Sequence, residues 1–197
     1  MLENEPIKRL LSAIAFTNDQ AAYKELFLLL HGRLKQFAYS ILKSQEEAEE
    51  LVSDLFIKVW EKRDQLTTID SPLLYFYATA KNLAFNRLNK QKRQQNIRPE
   101  EWLVQLNSIY FDPEQLMMTE EMMRQIRQAV NNLPPRCRLI FKLVKEDGLK
   151  YKEVAELLQL SIKTIEAQMA IALRRIGKYM HMEVNQLSPD ANNVKKS

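Results

Sequence analysis

Tyr151-Lys152-Glu153-Val154-Ala155-Glu156-Leu157-Leu158-Gln159-Leu160-Ser161-Ile162-Lys163-Thr164-Ile165-Glu166-Ala167-Gln168-Met169-Ala170 is the stretch that decides the fold. Val154, Ala155, Leu157 and Leu158 form the apolar set of a short helix, and Gln159-Leu160-Ser161 reads as a tight turn. Ser161 then caps a second helix. At 100° per residue, Ile162, Ile165, Met169, Ala172 and Ile176 share one stripe of that helix. The opposite face carries Lys163, Ala167, Ala170, Arg174 and Lys178. Alanines let a helix axis approach the floor of a DNA major groove, and cations near its ends hold phosphates. The pair therefore reads as a helix-turn-helix in preference to a solvated hairpin. Glu166 and Ile171 flank the basic face, and Gln159 stands where such turns commonly use glycine.

Working outward, the remaining chain is also helical. Among 197 residues there are only three glycines, too few for an all-β sandwich or a glycine-rich phosphate cradle. Apolar residues make up 46% and charged residues 27%, which argues for folded cores with a hydrated surface. A single cysteine, Cys137, permits no internal disulfide, and the two histidines, His31 and His181, offer no zinc spacing. Neither a membrane span nor a cationic signal start is visible, so a cytoplasmic protein without membrane insertion is expected. The expected fold is all-α: two small helical domains joined by a linker, with the helix-turn-helix in the second. The boundaries read as residues 1–92, a linker over 93–111, a second domain over 112–182, and a polar tail over 183–197. In the first domain, helices are expected near Ile7 to Ala15, Asp19 to Leu42, Gln45 to Lys62 and Pro72 to Lys92, with a loop from Arg63 to Asp70. Ser44 with Glu47 reads as a capping box, and Ser71 before Pro72 as a capping hydroxyl ahead of a proline. Asp112-Pro113 is a similar opening for the second domain.

Charge is sorted along the first domain. No acid occurs between Ser71 and Pro99, where Lys81, Arg87, Lys90, Lys92, Arg93 and Arg98 accumulate. Nucleic acid is the natural counter-ion. On the same helix Tyr75, Thr79, Asn82, Asn86 and Arg93 share one face: a ring, a hydroxyl and two amides in line, suited to exposed bases. The preceding helix is acidic, with Glu46, Glu47, Glu49, Glu50 and Asp54. There Ala48, Leu51, Val52, Leu55 and Val59 already supply an inward stripe. Ile57 and Trp60, off that stripe beside Ser53 and Asp54, suggest a surface for a protein partner. No nucleophile, acid pair or metal-ligand cluster stands in a catalytic arrangement, so no enzyme activity and no cofactor are expected.

Three segments, Ala48 to Trp60, Tyr75 to Ala84, and Leu133-Pro134 with Tyr151 to Ala155 and Lys163-Thr164-Ile165, resemble the extracytoplasmic-function group of bacterial RNA polymerase sigma factors, in the family's order. Phe76 stands where leucine is usual. The resemblance implies that Ser53, Asp54, Ile57 and Trp60 meet the clamp helices of the polymerase largest subunit, with the flap as a further core contact. It implies that Tyr75, Thr79, Asn82, Asn86, Lys90 and Arg93 bind and open the minus-ten element, a flipped base lodging near Asn82 and the Arg63 to Asp70 loop. Lys163, Thr164, Ala167, Ala170, Arg174 and Lys178 would read the minus-thirty-five element. Partners are then core RNA polymerase, promoter DNA and an anti-sigma factor. In a free sigma factor the linker is expected to set the domain spacing only loosely. The competing reading is a ligand-sensing helix-turn-helix repressor or activator, which would bind duplex DNA unaided.

Overall fold

A computed structural model describes residues 4–91 and 120–187, with side chains described over 4–90 and 124–180. Among the described residues the regular structure is all helical: α1 (Asn4–Thr17), α2 (Gln20–Leu42), α3 (Gln45–Glu61), α4 (Arg63–Leu66), α5 (Pro72–Gln91), α6 (Glu120–Asn131), α7 (Pro135–Lys145), α8 (Tyr151–Leu158) and α9 (Ile162–Leu187). The expected linker, the Asp112-Pro113 opening, the polar tail, and Lys92, Arg93 and Arg98 lie outside the described residues.

Local chemistry accounts for most boundaries. Asp19 precedes α2 in extended conformation, and its Oδ1 accepts from the backbone N–H groups of Ala21 and Ala22 at 2.8 and 3.0 Å. Lys43 closes α2 with φ 62°, its N–H returning to the Tyr39 carbonyl. Ser44 Oγ accepts the Glu47 N–H at 3.3 Å, as the capping reading requires. The reading of Ser71 is corrected. Its hydroxyl leaves α5 and donates to Glu153, while the Leu73 N–H is taken by Asn4 Oδ1 at 3.0 Å, so the cap of α5 comes from α1. The expected Arg63 to Asp70 loop contains the single turn α4, which buries Leu66.

Helix α2 is the spine of the first block. Ala22, Leu26, Leu30, Leu34, Phe37 and Ile41 form a buried stripe along it. Against that stripe pack α1 through Ile7, Leu11 and Ile14, α3 through Leu51, Val52, Leu55, Phe56 and Val59, and α5 through Leu73, Phe76, Tyr77, Ala80 and Ala84. In the second block α8 and α9 form the helix-turn-helix, held by α7 and α6. Ile165, Met169 and Ala172 are buried as the stripe predicted. Ile162 departs from it: at the first helical position it points outward and is 45% exposed. Ser161 caps α9 by accepting the Thr164 N–H at 3.0 Å.

The two blocks dock, contrary to the loose spacing expected of the free chain. Among the described residues their buried side chains form one contiguous cluster, and polar bonds cross between them. Arg33 of α2 donates to the Glu146 carbonyl at 2.8 Å and to Asp147 Oδ1 at 2.9 Å. Lys142 of α7 donates to Gln36 Oε1 at 3.0 Å. Ser71 donates to Glu153 Oε1 at 2.5 Å, and Lys81 Nζ to the Leu157 carbonyl at 2.8 Å. Burial drives the Glu146 carboxyl up to about 7, against the pull of Lys142. Burial also raises Asp147, opposed by Tyr77 and Arg33.

Gln159 closes α8 at φ 55°, a left-handed conformation that strains a residue bearing a Cβ. Gln159→Gly is therefore expected to stabilise the fold by about 0.5–1 kcal/mol, read as a higher urea midpoint at unchanged slope. A second outcome follows from Glu146. Its raised carboxyl binds a proton in the folded state that the unfolded chain releases, so its contribution is complete below about pH 4.5 and is lost as pH rises through about 7. Thermal midpoints of the wild type are expected to fall by a few degrees relative to Glu146→Gln between pH 5 and pH 8.

Candidate polymerase and DNA interfaces

On α3 the outward residues are Ser53, Asp54 and Ile57, with Trp60 half-buried at the end. Ile57 is 56% exposed. It lines a groove of about 630 Å³ together with Gln20, Tyr23, Trp60 and Glu61. Contacts within the chain tie down the walls of the groove. Tyr23 donates its hydroxyl to the Phe56 carbonyl at 2.9 Å, and its ring meets Trp60 edge-on with centroids 5.1 Å apart. The Arg63 guanidinium lies 5.0 Å over the Trp60 ring and bonds the Trp60 carbonyl and Asn18. Trp60 thus has an intramolecular packing role and still leaves one edge in the groove. Gln20 and Tyr23 were missed by sequence reasoning. Both sit at the start of α2, and nothing local reveals that they border the far end of α3.

Asp54 differs from expectation. Arg87 of α5 donates to Asp54 Oδ2 at 2.5 Å, to Glu50 Oε2 at 3.1 Å and to the Glu47 carbonyl. Glu49 is engaged by Lys35 and by His31, and hydrogen bonding from Lys35 leads in holding its carboxyl below the usual range. Ser53 Oγ bonds back to the Glu49 carbonyl. The acidic helix is therefore partly neutralised from within, and Ile57 is the more independent element of this surface.

The acid-free run on α5 is corrected in the same way. Arg87 serves the α3 acids, and Lys81 serves the carbonyl end of α8, where burial lowers its ammonium below the usual value. Among the described cations of the run, Lys90 is exposed and unassigned. The row predicted to meet bases is present. Asn82 and Asn86 are exposed, Tyr75 and Thr79 are half-buried, and Arg93 lies outside the described residues. The Tyr75 ring packs edge-on against Phe76, whose phenyl is fully buried at the position where the resemblance has leucine.

On α9, Lys163, Ala167, Ala170, Arg174 and Lys178 are all exposed, as are Glu166 and Leu173. Thr164 is half-buried with its hydroxyl 2.8 Å from Ser161 Oγ, which turns it toward the cap. A smooth, small-residue centre flanked by cations fits a major groove. Among the described residues no His, Cys, Asp or Glu cluster could hold a metal ion, and no helix is long and apolar enough to cross a membrane.

Comparison with known proteins bears on these surfaces directly. The family model for sigma-70 region 2 matches residues 26–94, and that for sigma-70 region 4 matches residues 123–176. The chain belongs to the sigma-70 family. It is 25% identical over 157 residues to the ECF RNA polymerase sigma factor SigW of Bacillus subtilis, covering 76% of this chain and 84% of that one. It is likewise 25% identical over 174 residues to the ECF RNA polymerase sigma factor RpoE of Cereibacter sphaeroides, covering 87% and 93%. Among solved structures, the sigma factor RpoE of Bartonella quintana, in complex with the anti-sigma factor NepR, aligns with a TM-score of 0.49 at 22% identity, covering 81% of this chain and 96% of that one. This sigma factor acts in promoter-specific transcription initiation, and the ligand-sensing regulator is set aside. The region 2 match includes the exposed amide row and the α3 wall of the Ile57 groove, and the region 4 match includes α8 and α9 as far as Ile176.

Proposed function

We propose that the three exposed surfaces divide the work of initiation. The Ile57 and Trp60 groove, rimmed by Ser53 and Asp54, docks on the clamp helices of the polymerase largest subunit, with the flap as a second contact on the core. Tyr75, Thr79, Asn82, Asn86, Lys90 and Arg93 capture the opened minus-ten strand. Lys163, Thr164, Ala167, Ala170, Arg174 and Lys178 face the minus-thirty-five duplex. The observation that carries this reading is the solvent-open pair Asn82 and Asn86, one turn apart on α5, in a stretch free of acids.

The chemistry needs no cofactor and no catalytic group. Stacking of a base on a ring contributes about 1–3 kcal/mol, comparable with the cost of unstacking a base step, so a few captured bases hold a bubble open. Amide side chains present a donor and an acceptor together, which suits base edges once pairing is lost. Duplex reading by α9 is different. It relies on close approach and phosphate contacts, with Glu166 able to accept from a cytosine amino group. An anti-sigma factor belongs to the same reading, because exposed Ile57 and Leu173 offer apolar surface to a regulator when the polymerase is absent.

Run-off transcription with core polymerase on genomic DNA tests the proposal: products are expected only when the protein is added. Two substitutions then separate the surfaces. Ile57→Asp is expected to weaken core binding tenfold or more. Asn82→Ala is expected to leave core binding within twofold while lowering open-complex yield several-fold by permanganate footprinting; equal losses in both assays would remove Asn82 from the melting surface. Arg174→Ala is expected to weaken promoter binding and to reduce the slope of log affinity against log salt by about 1. An unchanged slope would mean that Arg174 touches no phosphate.

A further inference from the structure

The solvent face of α9 runs between two exposed cations, Lys163 and Arg174. Of the residues between them, only Glu166, Ala167, Ala170 and Leu173 are exposed. Ile165, Met169 and Ala172 are buried, and the Thr164 hydroxyl turns to the Ser161 cap. Gln168 is half-buried, and its carbonyl accepts the Cys137 thiol at 3.2 Å. Glu166 is therefore the one exposed hydrogen-bonding side chain between the two cations.

The local structure gives an acid no reason to stand there. Helix α9 opens at Ile162 under the Ser161 cap with no acid in its first turn, so Glu166 lies beyond the free N–H groups and the strong part of the helix dipole. The Ile165 N–H, one residue earlier, already bonds back to the Ser161 carbonyl. Among the described residues no cation pairs with the Glu166 carboxylate. On a surface that meets a polyanion, such a group repels duplex DNA wherever it finds no donor.

A carboxylate only accepts hydrogen bonds, and the major-groove edges of the four bases answer it differently. Cytosine offers its N4 amino group alone. Guanine presents N7 and O6 and thymine O4, all acceptors, while adenine sets its N6 amino group beside the acceptor N7. Glu166 in the groove is thus satisfied by cytosine, half opposed by adenine and repelled by guanine and thymine. Ala167 and Ala170 work by a different chemistry. At 100° per residue they flank the line through Lys163 and Arg174, where their methyl groups suit thymine methyls. Glu166 and Ala170 are one helical turn apart, about 5.4 Å or roughly one and a half base pairs, so they address neighbouring pairs.

We propose that Glu166 sets the upstream sequence this sigma factor accepts: its carboxylate takes the N4 amino group of one cytosine, beside thymine methyls that meet Ala167 and Ala170. Lys163 and Arg174 hold phosphates whatever the sequence. The carboxylate selects by exclusion, because a C·G pair relieves a repulsion that the other pairs leave standing. The assignment rests on the reading of α9 proposed above and names the sequence class read there.

Selection with the whole holoenzyme tests it. Core polymerase with the full chain binds a duplex library in which the minus-ten region is fixed, taken from a promoter that gives run-off product, and the upstream region is randomised; bound duplexes are sequenced. The wild type is expected to select a C·G pair at one upstream position by about tenfold or more. Glu166→Gln, whose amide both accepts and donates and so matches adenine N6 and N7, is expected to move that position to A·T. Glu166→Ala is expected to bring the preference there to within about twofold and to raise affinity for duplexes of unselected sequence several-fold, since the repulsion is gone. The other selected positions and core binding are expected to stay as in the wild type, a pattern that a merely structural role of Glu166 would not produce. Variants that select the wild-type sequence, or a wild type that selects A·T at the position they alter, overturn the role of Glu166 and leave α9 on the duplex. A wild type that selects nothing upstream, or that gives no run-off product on genomic DNA, overturns the placing of α9 as well.

Discussion

A carboxylate buried at the Asp147 corner is tolerable because a guanidinium from another part of the chain reaches it, with Tyr77 and Lys142 also favouring its charge. Taking a carboxylate out of water costs several kcal/mol, and the penalty is left uncompensated if its partner is removed, whereas Arg33 itself keeps about a third of its side chain in solvent. Arg33 supplies that partner across more than a hundred residues of sequence. The same arginine ties down the Glu146 carbonyl, which leaves the helix end at α7 satisfied before Gly148 turns the chain at φ 79°. From there Lys150 and Glu153 start α8, with the Lys150 N–H on Glu153 Oε2 at 2.7 Å. The entry angle of the helix-turn-helix is thus set by a corner whose charge balance comes from the other block.

What the sequence made legible was whatever depends on neighbours within a few turns. Ser44 and Ser161 are caps, and the apolar stripes of α3 and α9 predict most of their buried faces because a helix repeats every 3.6 residues. Ser71 was misread because the same hydroxyl serves a cap or a distant carboxylate equally well, and Glu153 is 82 residues away. Ile162 was misread because stripe geometry ignores that the first turn stands clear of the body it packs on. The placement of the Tyr75, Asn82 and Asn86 row along one helix was legible from period alone; which of its cations remain available was not.

That last point changes the electrostatic picture. A run with no acids suggested a uniformly basic ridge on α5, facing away from an acidic α3. In the folded chain Arg87 crosses to Glu50 and Asp54, and Lys81 crosses to α8, so part of each charge set is consumed in holding helices together. Partly exposed pairs of this kind contribute up to about 1 kcal/mol each, enough to orient helices but too little to define a fold. Recognition then shifts from bulk charge toward shape and hydrogen bonding. The apolar groove beside Ile57 matters more than the acids around it, and the amides of α5 matter more than its net charge.

The polar composition of the seam decides what it contributes. Asp147 and Lys142 are buried, while Arg33 keeps about a third of its side chain in solvent. Desolvation of the two buried groups therefore cancels much of the attraction, while the fixed directions of their bonds select one register. A seam as apolar as the α2–α3 contact would gain more from burial and discriminate less between registers. Replacing the corner by well-packed apolar residues would be expected to raise stability while loosening that choice of register.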